Sequence, residues 1–152
     1  MAGMTSWDEF AAAEPDFAGR VRRLFTARKH MTMATLRRDG SPRISGTEVE
    51  FADGELWLGM MPGSRKALDL RRDPRLAVHG PSVDADQSRP EEWPGEVKVA
   101  GRGVEVGDPQ GTGEPHRFRV ELGEVVLTRV EADLLVVESW HPGRGYEVRR
   151  RT

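Results

Sequence analysis

Arg65 and Lys66 follow directly on Pro62-Gly63-Ser64, and of all residues in this chain they are the best placed to do chemistry. Pro62-Gly63 interrupts whatever element precedes it, and Ser64 suits a helix N-cap. The run from Arg65 to about Arg72 predicts a short helix that stops before Pro74. Two cations in the first turn of a helix oppose its macrodipole, at about 0.3–1 kcal/mol each. That turn also carries backbone N–H groups with no intrahelical acceptor. Cations and free donors together suit an anion, most simply a phosphate. The competing reading is a pair of solvated cations on a surface helix.

A second chemically unusual stretch is Ser45-Gly46-Thr47, a glycine between two hydroxyls in a run that otherwise reads as a strand. Glycine weakens a strand unless something approaches the backbone closely. Either a ligand lies against Gly46, or the residue serves a bulge or a packing contact.

Other catalytic signatures are missing from the sequence. No cysteine is present, which removes disulfides, Cys-ligated zinc, iron–sulfur clusters and thiol nucleophiles. His30, His79, His116 and His141 show no metal-binding spacing, so no metal site is expected. There is no nucleophile elbow, no Walker motif and no dinucleotide fingerprint. The carboxylates are scattered rather than paired. Chemistry here would have to be carried by a bound cofactor.

The elements that must position these residues follow from periodicity. Ser6 caps a predicted helix over Trp7–Ala13, and a second helix starts at Pro15, with Phe17, Val21, Leu24 and Phe25 inward. Its basic face, Arg20, Arg22 and Arg23, reads as solvated. Met31–Leu36, Arg43–Phe51 and Glu55–Met60 then read as three strands of a meander, joined at Asp39-Gly40 and Asp53-Gly54. In the third, Leu56, Leu58 and Met60 point one way and Glu55, Trp57 and Gly59 the other. Arg75–His79 is a fourth strand, and Gly80–Gly95 a long polar connection in which Trp93 is either a local anchor or a site wall. Glu96–Val106 is a fifth strand in which Val97 and Val99 are odd-numbered, but Val104 and Val106 even-numbered. A bulge at Gly101-Arg102-Gly103 would reconcile them. Gly107–Pro115 reads as a loop, His116–Val130 and Leu134–Trp140 as long strands, and Tyr146–Arg149 as a short one before a fraying basic end.

With 152 residues, 37% hydrophobic and 32% charged, the chain is expected to form one domain over residues 1–152: helices to residue 29, then a barrel over 30–152. The net charge of −2 gives no general attraction to nucleic acid. MAGMTSWDEF lacks an apolar signal core, and no run is long enough to span a membrane, so a cytoplasmic location is expected.

Ala34–Val78, from ATLRRDGSPRISGTEVEF through GSRKALDLRRDPRLAV, resembles the pyridoxamine 5′-phosphate oxidase-like family of flavin-binding split β-barrels. The order and spacing carry the likeness: strand, DG turn, strand, DG turn, strand, Gly-Ser-Arg-Lys-Ala helix, Asp-Pro-Arg, strand. The resemblance implies a mainly β fold, an antiparallel split β-barrel of six or seven strands with peripheral helices, forming a homodimer with flavin sites at the interface. It implies that the FMN phosphate lies against Arg65 and Lys66, that Ser45, Gly46 and Thr47 run along the ring and ribityl chain, and that Gly59, Met60 and Met61 border the cofactor; Ser64, the expected N-cap just before the two cations, is counted with the cofactor-binding residues. A relative group binds the deazaflavin F420 on the same scaffold. Glu96 stands where a glutamine is common in the family's fifth strand, and joins the cofactor set on that basis. Ser45 and Glu50 stand where the vitamin B6 oxidases carry an Arg-x-x-x-x-Lys pair, and their C-terminal substrate motif is replaced by Trp140-His141-Pro142-Gly143. These departures point away from vitamin B6 as substrate. The implied activity is FMN-dependent hydride transfer with a small organic substrate. F420-dependent reduction and a non-enzymatic flavin-binding module are the alternatives.

Overall fold

The computed structural model describes residues 3–107 and 113–152. Two helices lead the chain: α1, Trp7–Ala13, and α2, Pro15–Thr26. Ser6 caps α1 by accepting the Glu9 N–H at 3.1 Å. Among the described residues, nine strands, one further α-helix and a short 3-10 turn at Pro90–Glu92 follow: β1 Met31–Leu36, β2 Pro42–Thr47, β3 Val49–Ala52, β4 Glu55–Met60, α3 Arg65–Arg72, β5 Arg75–His79, β6 Glu96–Glu105, β7 His116–Glu131, β8 Leu134–His141 and β9 Gly145–Arg151. All pairings are antiparallel, in the order β2–β1–β5–β6–β7–β4–β3, with β8 on β7 and β9 on β8. The mainly β class and the peripheral helices agree with expectation, while the strands outnumber the six or seven expected.

The expected meander is broken. Arg43–Phe51 is not one strand, because the chain changes partner at Glu48. β2 pairs with β1, whereas β3 pairs with β4. β4 in turn pairs with β7, which is remote in sequence. This exchange of partners separates the barrel into two parts.

β7 joins them. Its first residues pair with β4 and the end of β6, and its last residues with β8 and the start of β6. The β6–β7 register shifts between Ala100 and Gly101, and the extra residue is Gly123 on β7. The bulge therefore sits opposite the expected position. β6 keeps one parity throughout: Val97 and Val99 are buried, Gly101 and Gly103 take the following inward places, Val104 on the other face is half-buried, and Val106, just past the strand, is exposed. The two valines misled the parity argument because the inward positions are occupied by glycines. A Cβ on Gly103 would meet Leu76, Leu70 and Phe118 at 3.1–3.4 Å. One on Gly101 would overlap the Glu121 carbonyl.

The helices close the ends of the core. Trp7 meets Phe51 at 4.7 Å between ring centroids, and Phe10, fully buried, meets Trp140 at 4.9 Å. Burying one such side chain contributes roughly 1.5–3 kcal/mol. Trp57 is also buried although it lies opposite Leu56 and Leu58. Its indole N–H donates to the Ala52 carbonyl at 3.0 Å, and the Arg117 guanidinium lies 3.6 Å from its ring centroid. Trp93 is a local anchor, donating to the Val83 carbonyl at 2.7 Å. The turn after β8 is locked by His141, which bonds Glu124 at 2.8 Å while Arg144 donates to its other ring nitrogen at 2.8 Å. Of the loop expected over residues 107–115, positions 108–112 lie outside the described residues.

The basic face of α2 is not merely solvated. Arg20 grips the buried Glu138 of β8 with two bonds of 2.7 and 2.6 Å, and Arg22 stacks 4.8 Å from the centroid of Phe51. Glu138 also accepts from Arg129 at 3.0 Å and from the Tyr146 hydroxyl. Nor does the basic end fray: Arg149, Arg150 and Arg151 extend β9 along β8. Burial alone would raise the Glu138 pKa, but the bonds from Arg20, Tyr146 and Arg129 outweigh it and hold the carboxyl at about 2. A carboxyl depressed by folding stabilises the native state above its unfolded value, about 4.3, and loses that contribution as pH falls through the folded value. Glu138→Gln is expected to cost about 1–3 kcal/mol at neutral pH. Acid denaturation curves should lose the Glu138 contribution between the glutamate range and about pH 2; equal slopes for the two proteins there would contradict this.

Candidate cofactor site

β4 ends at Met60, and Met61-Pro62-Gly63 turns the chain into α3, with Gly63 at φ +68°. The turn closes with the Ser64 N–H on the Met61 carbonyl at 3.1 Å. Ser64 occupies the N-cap position, but its hydroxyl makes no cap bond. Its Oγ is buried with no partner among the described residues. The expected cap is therefore present in place and not in bonding, and an orphaned hydroxyl lies beside the two cations.

α3 is held from beneath by Asp69. This buried carboxylate accepts from Thr35 of β1 at 2.8 Å, Arg43 of β2 at 2.7 Å and Arg72 of its own helix at 3.1 Å. Burial pushes its pKa up, but the bonds from Arg43, Thr35 and Arg72 hold it below the usual carboxylate range. Ala67 and Leu70 bury the same face of the helix. The helix is thereby fixed against the β1–β2 hairpin.

Arg65 and Lys66 diverge from this fixed start, as neighbours about 100° apart on a helix must. Lys66 turns to a cleft of about 270 Å³ between β2 and the end of β4, lined also by Gly46, Thr47, Gly59, Met60, Met61, His30 and Glu48. Its ammonium donates to the Gly46 carbonyl at 2.6 Å. Burial pushes its pKa down, and no carboxylate lies within ion-pair distance of it among the described residues. An anion bound there would offset the partial loss of hydration of this cation.

The glycines widen this cleft. A Cβ built on Gly46 or Gly59 would have no atom within 4 Å. Gly46 sits in regular pairing opposite Thr32, with no bulge and no neighbour packed over it. The strand backbone is bare where a flat group could lie. Thr47 is buried and Met61 is 79% exposed at the rim. Met60 borders the cleft while its side chain belongs to the core.

Arg65 turns the other way, into a cleft of about 460 Å³ shared with Arg37, Arg38, Asp39, Arg43, Leu68, Asp69 and Arg72. Arg43 and Arg72 are committed to Asp69. Arg38 and Arg65 make no ion pair or hydrogen bond among the described residues. Sequence reasoning missed Arg37, Arg38, Arg43, His30 and Glu48. A signal for the first two existed in Arg37-Arg38 beside the hairpin turn, since β1–β2 pairing must bring that turn toward Arg43. Two expected residues lie elsewhere. Ser45 is half-buried and does not line the Lys66 cleft, and Glu96, on β6, meets His79 at 3.4 Å.

Comparison with known proteins agrees with this architecture. None of the curated proteins compared with the chain matches it. Among solved structures, a pyridoxamine 5′-phosphate oxidase-related, FMN binding protein from Nostoc punctiforme superposes with a TM-score of 0.63 at 10% identity, covering 91% of this chain and 96% of that one. PhzG from Burkholderia lata, in complex with tetrahydrophenazine-1-carboxylic acid, gives 0.60 at 13% identity, covering 95% and 89%. A heme binding protein from Mycobacterium smegmatis gives 0.56 at 12% identity, covering 86% of each chain. At such identities the shared property is the fold. The family model for pyridoxamine 5′-phosphate oxidase matches residues 17–131, which include both clefts and the helix between them, and on that match the chain belongs to the pyridoxamine 5′-phosphate oxidase-like family of split β-barrels.

Proposed function

We propose that the protein is an FMN-dependent oxidoreductase in which Lys66 and Arg65 hold the cofactor phosphate and the bare strand at Gly46 takes one face of the ring system. The observation that carries this reading is Lys66, desolvated and without a carboxylate partner, beside a strand whose glycine leaves open space. The buried Ser64 hydroxyl adds an unused polar group beside the two cations. Bound FMN would supply hydride transfer with a small organic substrate. The residues of this chain bind and orient: Lys66 and Arg65 neutralise the phosphate, Thr47 and the strand backbone face the ring edge, and Met61 offers apolar cover. The PhzG likeness is consistent with a flat organic ligand on this fold. Cytoplasmic location and homodimerisation belong to the same proposal. Two large apolar side chains stand open next to the cleft, Met61 and Ile44, 79% and 75% exposed, and a second copy would cover them.

F420 is a second reading, favoured by one observation. The Arg65 cleft contains Arg37 and Arg38 in addition to the cations a single phosphate would use. A deazaflavin whose side chain continues beyond its phosphate with carboxylates would engage them. The absorption spectrum of the purified protein, with parallel FMN and F420 titrations, separates the two. Binding without turnover of either cofactor would favour the non-enzymatic module.

Three outcomes are expected. Replacing Arg65 and Lys66 together by Ala should weaken FMN binding tenfold or more, because a charge-assisted hydrogen bond contributes about 1.5–3 kcal/mol; unchanged affinity for FMN and F420 in a folded double variant refutes the phosphate assignment. Gly46→Val should leave the cofactor-free melting temperature unchanged or raised, since strand propensity improves and the side chain enters open space, while cofactor affinity collapses. Parental affinity in that variant would remove the ring from this strand. Sedimentation at micromolar concentration should show a dimer, and a 17.0 kDa species would exclude it.

A further inference from the structure

His116, the first residue of β7, is buried and belongs to none of the groups so far assigned to the cofactor. Its Nε2 lies 3.0 Å from the backbone nitrogen of Gly63, and its Nδ1 lies 2.8 Å from Glu105 Oε2. A backbone amide can only donate, so Nε2 must present its lone pair. The ring then carries its proton on Nδ1 and donates it to Glu105. Partner chemistry thus assigns the tautomer. Glu105 is itself gripped by Arg71, through Nε at 2.6 Å and Nη2 at 3.2 Å. The Arg71 and His116 bonds hold the Glu105 carboxyl below the usual range.

These contacts form a bracket around α3. Arg71 lies in its last turn, Glu105 ends β6, His116 starts β7, and Gly63 lies in the turn that leads back into α3. The pairing of Met60 with His116 sets the ring beside that turn. Met61, Pro62 and Gly63 are exposed, so apolar burial contributes little to fixing them. The Ser64 N–H bond to the Met61 carbonyl closes the turn and Asp69 holds the helix behind it, while the contact to His116 ties the Gly63 amide to the start of β7.

We infer that His116 is a positioning residue for the anion-binding turn: oriented by Glu105, it holds the Gly63 amide and thereby the register in which Ser64, Arg65 and Lys66 meet a phosphate. This rests on the phosphate reading given above. Among the described residues, the charged groups around the ring are Glu105 from β6, Arg71 from α3 and Glu114 from the segment before β7. Arg117, next along β7, turns away onto Trp57.

The test compares the parent, His116→Phe and His116→Gln for FMN affinity, riboflavin affinity and amide exchange at Gly63 in the cofactor-free protein. Riboflavin lacks the phosphate and reports on the ring site alone. His116→Phe keeps an aromatic ring but offers no acceptor, so Gly63 should exchange faster and FMN affinity should fall about tenfold, with riboflavin affinity unchanged. Gln can accept from Gly63 and donate to Glu105, so it should restore most FMN affinity. Parental FMN affinity in a folded His116→Phe variant, or equal losses for FMN and riboflavin, would overturn the inference. If His116→Phe does not fold, nitrogen NMR of the parent decides: the proton on Nδ1 is expected, and a proton on Nε2 overturns it. A parent that binds riboflavin as tightly as FMN refutes the phosphate reading itself. In that case a protected Gly63 amide would mark the His116 contact as purely structural and end its positioning role.

Discussion

The architecture depends on β7 serving three neighbours at once. A strand has two edges, so a strand with three partners must change one of them along its length. β7 does so by giving its first residues to β4 and its last to β8, with β6 along the other edge throughout. That exchange needs the strand to bend, and the extra residue at Gly123 supplies the bend. The facing strand must come close without a side chain in the way, which only Gly101 allows. The rest follows from this crossing: β4 reaches β7, the turn after β4 reaches His116, and α3 is delivered onto the β1–β2 hairpin.

Charge placement then distinguishes scaffold from site. Glu138 and Asp69 are buried carboxylates, and each is surrounded by guanidinium donors and a hydroxyl. Removing one partner from such a group leaves a buried charge uncompensated, which is strongly destabilising. Arg20 to Glu138 ties the leading helices to β8, and Asp69 ties α3 to β1 and β2. Lys66 has the opposite character. Its charge is partly withdrawn from water, and among the described residues its hydrogen-bond partner is a backbone carbonyl.

The surface near Lys66 is similarly incomplete. The outward face of β2 presents Ile44, Gly46 and Glu48, and Met61 projects from the neighbouring turn. An exposed isoleucine on a strand and a methionine on a turn are individually ordinary. Met61 lines the cleft that holds Gly46 and Gly59, while Ile44 lines a neighbouring one with Thr32, Ala34 and Ala77. Two clefts open on either side of the α3 start, a glycine-floored one that takes Lys66 and an arginine-lined one that takes Arg65, within one short stretch of chain.

Local signals alone determined the bounds of α1, α3, β1, β4 and β5, because each is set by a nearby cap, turn or proline together with a short apolar period. They also determined that Arg65-Lys66 and Gly46 are unusual, since a cation against the dipole and a glycine in a strand are anomalies of local physics. Tertiary structure alone decided where those residues point and whom they meet. Neighbours in sequence, Arg65 and Lys66 face different clefts, because the burial of Ala67, Asp69 and Leu70 fixes the rotation of the helix. Arg20 and Glu138 meet across most of the chain, the bulge belongs to β7 rather than β6, and His116 reaches Gly63 through the β4–β7 pairing. Periodicity reports which side of an element is apolar. The partners of a charge or an amide depend on which strands pair, and in a sheet ordered β2–β1–β5–β6–β7–β4–β3 most of those pairs join residues that no local pattern connects.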